Sequence, residues 1–210
     1  MEIQAVNGQT RRREASKRKI MDAAARLFVE RGYDGTRPQD IARAAGVANG
    51  TFYLHFQSKE AAFLAFAQHA QDDLVSRYSQ SLEGVQGLRE RLQVILRTMV
   101  AYAEENPGVL KAAFLDPVMI APDDEDAWRI YDRISEFTSR ALGIGHQDDQ
   151  QASLVSHGLC GYMRHAMIYA GRRKMDFELV IESIVGFVER GLEASPAPPN
   201  RDGTVTNIGS

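Results

Sequence analysis

The sequence has a single cysteine, Cys160, and no run of apolar residues long enough to cross a bilayer. One cysteine cannot form an internal disulfide, which fits a reducing compartment, and a membrane-spanning helix needs about 20 consecutive apolar residues. The N-terminus is polar and basic, unlike a secretory signal. We therefore expect a cytoplasmic protein that does not contact a membrane.

Motifs for catalysis and metal binding are missing as well. The five histidines do not stand at the spacings of zinc ligands. The chain has no G-x-S-x-G nucleophile motif and no glycine-rich loop that could hold a phosphate. We therefore expect no enzyme activity, no metal and no cofactor.

Helical periodicity runs through most of the chain, and no stretch alternates apolar and polar residues for long enough to predict a sheet. The pattern predicts an all-α protein of about nine helices. The first helix should begin near Ser16 and end at Gly32, a favoured residue just after a helix. Residues 1–13 show no apolar periodicity, and we expect them to form a flexible basic arm.

Residues 37–56 have the form of a helix-turn-helix motif. Thr36 and Gln39 fit a capping box that would begin the second helix. Gly46 then breaks the periodicity, and a third helix with small polar and aromatic residues begins near Ala48. Two short helices joined at a glycine are typical of proteins that place the second helix in the major groove of DNA.

The distribution of charge agrees with a DNA-binding N-terminal end. Residues 1–60 contain 11 Lys/Arg and 7 Asp/Glu, whereas residues 61–210 contain 14 and 21. A basic end on an acidic body is typical of a protein that meets phosphates with one end. The basic residues 11–13 and 17–19 either keep the arm solvated or contact the DNA backbone and the adjacent minor groove.

A series of short motifs covers residues 16–64 without a gap: Ile20–Asp22, Leu27-Phe28-x-x-x-Gly32-Tyr33, Thr36, Asp40-Ile41-Ala42, Ala45-Gly46-Val47, Gly50-Thr51-Phe52-Tyr53-x-His55-Phe56 and Ser58-Lys59-Glu60. Together they resemble the DNA-binding domain of the TetR family of bacterial transcriptional regulators. Three residues depart from the family's usual pattern. Ala48 replaces a serine that would cap the third helix, Asn49 occupies the variable recognition position, and Pro38 replaces a β-branched residue.

The resemblance implies DNA contacts that the side-chain chemistry supports: Thr36, Arg37, Asn49, Gly50, Thr51, Tyr53, His55 and Lys59. Asn49 can pair with adenine through two hydrogen bonds, and Thr51 offers its methyl group to thymine. The donors at the end of the third helix suit phosphates. Thr36 can bind a phosphate, cap its helix, or do both.

The chain should divide into the arm, a DNA-binding domain at residues 14–74, an effector-binding and dimerisation domain at residues 75–194, and a disordered tail at residues 195–210. The fourth helix, from Lys59 to about Leu82, would join the two domains. The last helix, residues 176–193, is apolar over more than half of its circumference, and the helix before it, residues 148–171, carries small residues on one stripe. This combination suits either a two-fold dimer interface or a helix buried within one chain. The expected interface residues are Val155, Leu159, Ile181, Ile184, Val185 and Val188.

Large aromatic and thioether side chains in the second domain suggest either an ordinary core or a pocket for a small apolar or amphipathic effector. The pocket candidates are Tyr78, Met99, Tyr102, Phe114, Trp128, Tyr131, Arg133, Tyr162, Met163 and His165. We therefore expect a homodimeric repressor that an effector releases from a palindromic operator on double-stranded DNA. The alternative is a regulator whose second domain only dimerises and which a protein partner or its own abundance controls.

Overall fold

The computed structural model describes residues 2–115, 125–144 and 150–193, and within these ranges the chain has nine helical segments and no strand. The prediction of an all-α fold is confirmed. The segments are α1 (Glu2–Arg31), α2 (Pro38–Ala44), α3 (Asn49–His55), α4 (Lys59–Ser81), α5 (Leu88–Glu105), a π-helical turn (Lys111–Leu115), α6 (Glu125–Leu142), α7 (Gln150–Arg173) and α8 (Phe177–Glu193). The expected tail at residues 195–210 lies outside the described ranges.

Helix α1 begins at Glu2, well before the predicted start near Ser16. Residues 2–13 therefore continue the helix, and the prediction of a flexible arm there is corrected. Arginine, glutamate and alanine favour a helix, and the segment has no proline. It also has no apolar face, which is why the search for periodicity missed it. The helix ends as predicted at Gly32, which has a φ of +72°.

The first hydrophobic core lies among α1, α2, α3 and the first half of α4. Phe28, Ile41 and Phe52 are almost completely buried there. The ring of Phe28 packs edge-on against Phe63, with the centroids 5.1 Å apart, and Phe63 packs in the same way against Tyr33 at 5.2 Å. These aromatic contacts join α1 to α4, and the short helices α2 and α3, which would not be stable alone, pack into the same core through Ile41 and Phe52.

The second core lies among α4, α5, α6, α7 and α8. Helix α4 contributes residues up to Ala67 to the first core and residues from Leu74 to the second. The π-helical turn contacts both α1 and α4, and its Ala112 belongs to the first core. Just before this turn, Gly108 has a φ of +84°, and a Cβ atom on it would lie 2.6 Å from Cγ1 of Val29. The two cores are therefore linked by α4 and by this close contact with α1.

None of the described helices has the length and apolar character that a bilayer-spanning segment needs.

Candidate nucleic-acid interface

Helix α2 begins without the capping box that the sequence predicted. Its N-cap is Arg37, which has extended backbone angles and forms no side-chain cap bond. Thr36 is fully buried, its amide donates to the carbonyl of Tyr33, and its hydroxyl lies 2.8 Å from the carbonyl oxygen of Gly32 and 3.1 Å from that of Leu27. The predicted capping and phosphate contact of Thr36 are therefore corrected, because its polar groups point into the protein. Arg37 remains exposed beside it.

The turn between α2 and α3 follows the predicted pattern. Gly46 has a φ of +67°, a left-handed conformation that suits glycine, and the amide of Val47 returns to the carbonyl of Ala42 at 3.0 Å. Ala48 is the N-cap of α3 and gives no side-chain hydrogen bond. The poor cap that the sequence predicted is confirmed, so packing and contacts at the other end must hold α3.

One face of α3 is exposed and the opposite face is buried. Asn49 and Gly50 lie on the exposed face with Tyr53, which follows them by about one helical turn, and 47% of Tyr53 is accessible. Phe52 on the opposite face is fully buried in the first core, and Thr51 is half-buried. A helix that is fixed on one side and carries an amide, a glycine and a phenol on the other can enter a groove of DNA.

Lys59 is bound more tightly to the protein than the sequence indicated. Its Nζ donates to the carbonyl of Tyr33 at 3.0 Å and lies 3.9 Å from the centre of the Tyr33 ring. Burial, followed by the carboxylates of Glu60 and Asp34, raises the pKa of Tyr33. Ser58 caps α4 as predicted, since its hydroxyl accepts from the amide of Ala61 at 3.0 Å. Lys59 thus joins the start of α4 to the turn that follows α1.

His55 lies at the end of α3 and contacts α1. Its Nε2 is 2.7 Å from the hydroxyl oxygen of Ser16. An open groove of about 300 Å³ borders this contact, and it is lined by Thr10, Arg13, Glu14, Lys17, Leu54 and His55. Leu54 is 74% exposed at its edge. This groove was not predicted, because two of its lining residues, Thr10 and Arg13, belong to the segment that was expected to be flexible.

The sequence model described as "Bacterial regulatory proteins, tetR family" matches residues 20–66, which contain the helix-turn-helix and the start of α4. This part of the chain is a DNA-binding domain of the TetR family. Proteins of this family are transcription regulators and not enzymes, which agrees with the missing catalytic motifs.

Two curated TetR-type relatives differ in the direction of regulation that their names give. The HTH-type transcriptional activator FasR of Mycolicibacterium smegmatis is 26% identical over 191 residues, which are 88% of this chain and 86% of FasR. The HTH-type transcriptional repressor KstR2 of Rhodococcus jostii is 34% identical over 125 residues, which are 60% of this chain and 61% of KstR2. The direction of regulation therefore cannot be taken over from relatives.

Solved structures agree with the fold. The TetR-family repressor FadR of Thermus thermophilus, determined in complex with lauroyl-CoA, superposes with a TM-score of 0.62 at 21% sequence identity. The match covers 88% of this chain and 98% of FadR. At this identity the likeness shows the fold alone, a TetR-type head on a helical second domain.

The predicted pocket residues do not converge on one place. Tyr78, Tyr102 and Met163 are buried in the second core, and Met99 packs against it. Trp128 is 43% exposed. The other candidates with described side chains are half-buried or exposed on α6 and α7: Tyr131, Arg133, Tyr162 and His165. The side chain of Phe114 lies outside the described part of the structure.

Polar partners explain two of these outward positions. Arg133 pairs with Asp72 of α4 at 2.5 Å, and the hydroxyl of Tyr131 accepts from Arg164 at 3.1 Å. The predicted single pocket is therefore corrected. Aromatic composition alone does not show on which side of a helix each ring lies.

Most of the predicted dimer residues face the interior of their own chain and not its surface. Leu159, Ile181, Ile184, Val185 and Val188 are buried in the second core of the same chain, and Val155 is half-buried. The outer face of the two helices carries a different apolar set: Leu154, Tyr162, Leu179 and Phe187. The wide apolar arc of α8 contains both faces, and the sequence did not show which one packs inward.

Gln71 of α4 is a buried polar residue that the sequence reasoning missed. It is fully buried, and its Nε2 donates to the carbonyl of Ile130 at 2.6 Å. Its Oε1 has no hydrogen-bond partner among the described residues. A buried acceptor without a donor is costly, so this oxygen is a candidate contact for a bound molecule.

Proposed function

We propose that the chain is a homodimeric repressor that binds a palindromic operator through α3 and that a small apolar or amphipathic effector releases. The observation that carries the proposal is the exposed face of α3, where Asn49, Gly50 and Tyr53 project while Phe52 fixes the helix from behind. Asn49 is the proposed reader of a base, because its amide can form two hydrogen bonds to adenine. Since bacterial DNA lies in the cytoplasm, we place the protein there.

The operator is tested by incubating the full-length protein with random-sequence DNA duplexes and sequencing the bound fraction. We expect one enriched motif with two-fold symmetry, because a dimer presents two copies of α3 to two half-sites. A bound fraction without any enriched motif would contradict sequence-specific binding.

The dimer is proposed to form through the outer faces of α7 and α8. Leu179 is 59% exposed and Phe187 is 55% exposed, and the ring of Phe187 contacts that of Tyr162 across the two helices, with the centroids 4.6 Å apart. A Cβ atom added to Gly158 of α7 would meet nothing within 4 Å, so a neighbouring helix has room to approach there. Pairing these faces around a two-fold axis would produce a four-helix interface.

The direction of regulation has its own test. A repressor lowers transcription when its operator overlaps the promoter, and the effector restores it. A promoter–reporter fusion that carries the selected operator should therefore give a lower signal when the protein is expressed. A higher signal would mean activation, the direction named for FasR.

The effector is proposed to bind in the second domain, close to Gln71. The unpaired Oε1 of this residue offers a buried acceptor on α4, between the residues that α4 contributes to the two cores. FadR of Thermus thermophilus was solved with lauroyl-CoA, so we propose acyl thioesters of coenzyme A as the first class to test. Lauroyl-CoA should raise the melting temperature and weaken operator binding, while coenzyme A alone should do neither.

The effector would act through helix α4 and the π-helical turn. Both connect the second core with the first, and Gly108 touches Val29 of α1. A ligand that prefers a different tilt of α4 lowers operator affinity by its differential affinity for the two arrangements.

A second candidate function is a second domain that only dimerises, with control by a protein partner or by abundance. It is favoured by the scattered positions of the predicted pocket residues, of which Trp128 and Arg133 lie on the outside of α6. A metabolite and acyl-CoA screen that leaves both melting temperature and operator affinity unchanged would support this alternative.

A further inference from the structure

A chain of hydrogen bonds ties the end of α3 to α1. The hydroxyl of Ser16 donates to the carbonyl of Arg13 at 2.9 Å, and the same hydroxyl oxygen lies 2.7 Å from Nε2 of His55. A serine hydroxyl has only one proton to donate. The bond between the two side chains must therefore use a proton on Nε2, which makes His55 the donor.

The second ring nitrogen of His55 is left for another partner. Nδ1 forms no hydrogen bond to any residue within the described ranges. A neutral imidazole with its proton on Nε2 can only accept at Nδ1, and it donates there only after a second proton binds. A phosphate oxygen is an acceptor, so it can bind Nδ1 only when the imidazole is charged.

The surroundings of His55 disfavour its charged form in the free protein. Burial, followed by the positive charges of Arg13 and Lys17, lowers its pKa. The charged side chains that line the groove with it are Arg13, Glu14 and Lys17 of α1. A DNA phosphate at this groove would bring the negative charge that favours the second proton.

We propose that Ser16 is a positioning residue for DNA binding: it fixes His55 with its proton on Nε2, so that His55 contacts a DNA phosphate through Nδ1 only after taking up a proton. This inference rests on the proposed role of α3 as the DNA reader. The pKa of His55 is then higher in the DNA complex than in the free protein. Operator affinity therefore rises as the pH falls from about 8 to about 6, through the pKa of the complex.

The test compares Ser16→Ala, Ser16→Thr and a control, Ser79→Ala, in full-length protein. Ser79 lies on α4, and its hydroxyl donates to the carbonyl of Val75, so its loss removes a bond of the same kind far from α3. Binding to the selected operator duplex is measured at both pH values and at constant ionic strength, because salt alone changes affinity for DNA.

We expect Ser16→Ala to weaken operator binding about threefold to tenfold at the lower pH, the loss expected for one hydrogen bond. At the higher pH the loss should be much smaller, since a neutral His55 without Ser16 can place its proton on Nδ1 and donate to the phosphate. Ser16→Thr keeps the hydroxyl and should restore the wild-type pH profile, and Ser79→Ala should not change it. An equal loss at both pH values would mean a merely structural role for Ser16 and would overturn the proposal.

A second readout does not depend on DNA. The ¹⁵N chemical shifts of the His55 ring report which nitrogen carries the proton, and His55→Gln assigns the signals. We expect the Nε2–H form in wild type and Ser16→Thr, and a mixture of both forms in Ser16→Ala. An unchanged Nε2–H signal in Ser16→Ala would contradict the proposal. If the wild type bound no DNA, the proposed function would fail, and this measurement alone would decide whether Ser16 positions His55.

Discussion

The two cores of this protein are built differently. The first is a compact aromatic cluster around Phe28, Phe52 and Phe63, and it encloses the fully buried, hydrogen-bonded Thr36. The second is larger and more aliphatic. Within the described residues, the buried Ser156 Oγ of α7 lacks a partner, as does Gln71 Oε1 on the part of α4 between the two cores. A core whose buried polar groups all have hydrogen-bond partners favours one packing arrangement. Buried polar groups without partners can instead form hydrogen bonds to a ligand.

Their surfaces differ as well. The first domain exposes Asn49 and Tyr53 on a helix that has no side-chain cap. The second exposes apolar side chains, such as Leu179 and Phe187, along α7 and α8. A polar reading face and an apolar association face on opposite parts of one chain suit a protein that pairs with a copy of itself in order to read DNA.

The largest difference between the two cores should appear when a substitution creates a cavity in one core at a time. Phe52→Ala should destabilise the first core by about 3–5 kcal/mol, because it removes a fully buried ring, and it should abolish operator binding. Leu92→Ala should likewise destabilise the second core, because it removes a fully buried side chain. When thermal unfolding is followed by calorimetry, the two variants should lower the melting temperature of different parts of the heat-capacity curve. Identical profiles would mean that the two cores unfold as one unit.

Removing Lys59 should weaken binding to all DNA sequences alike. Its ammonium group is a proposed phosphate contact, and it also donates to the carbonyl of Tyr33. In Lys59→Ala the plot of log affinity against log salt concentration should become less steep, by about the amount expected for the loss of one phosphate contact. Lys111→Ala, a change of an exposed lysine on the π-helical turn, is the control. A salt slope equal to that of wild type would exclude Lys59 from the phosphate contacts.

Removing Asn49 should have a narrower effect. Its side chain is exposed on α3, so Asn49→Ala should leave folding unchanged and relax base preference at one position in each half-site, by about 1–3 kcal/mol. Sequencing the DNA selected by the variant measures this directly. A uniform loss of affinity without a change of motif would show that Asn49 does not read a base.

A small effect on stability is also expected for Gln71→Leu. The side chain is fully buried and one of its polar atoms is unpaired, so an apolar replacement of similar size should change the free energy of unfolding by less than about 1 kcal/mol. The response to lauroyl-CoA should nevertheless be lost. A variant that still responds fully would place the effector elsewhere.

The first domain could be predicted in detail because its signals are local. Gly32, Gly46 and Ser58 mark helix ends through backbone conformation and capping, which depend on a few neighbouring residues. Thr36 was misplaced because a threonine before a helix can cap it or turn inward, and only packing against α1 decides between them.

The second domain was predicted only as a set of helices. Periodicity placed α7 and α8, but the long apolar arc of α8 did not show that Ile184 faces the core and Phe187 faces outward. The same ambiguity applies to the proposed pocket, where Tyr78 is buried and Trp128 is exposed. Which face of an amphipathic helix packs inward depends on its neighbours in space, and these are distant in sequence.

Native mass spectrometry of the protein bound to its selected operator is the most direct test of the central claim that two copies, joined through α7 and α8, read one operator. The account predicts complexes that contain an even number of chains for wild type. It predicts a loss of dimer and of operator binding for Phe187→Glu, while Trp128→Glu, a change of a comparably exposed ring, retains both. A single wild-type chain bound to one operator, or a Phe187→Glu variant that binds as wild type does, would contradict the account.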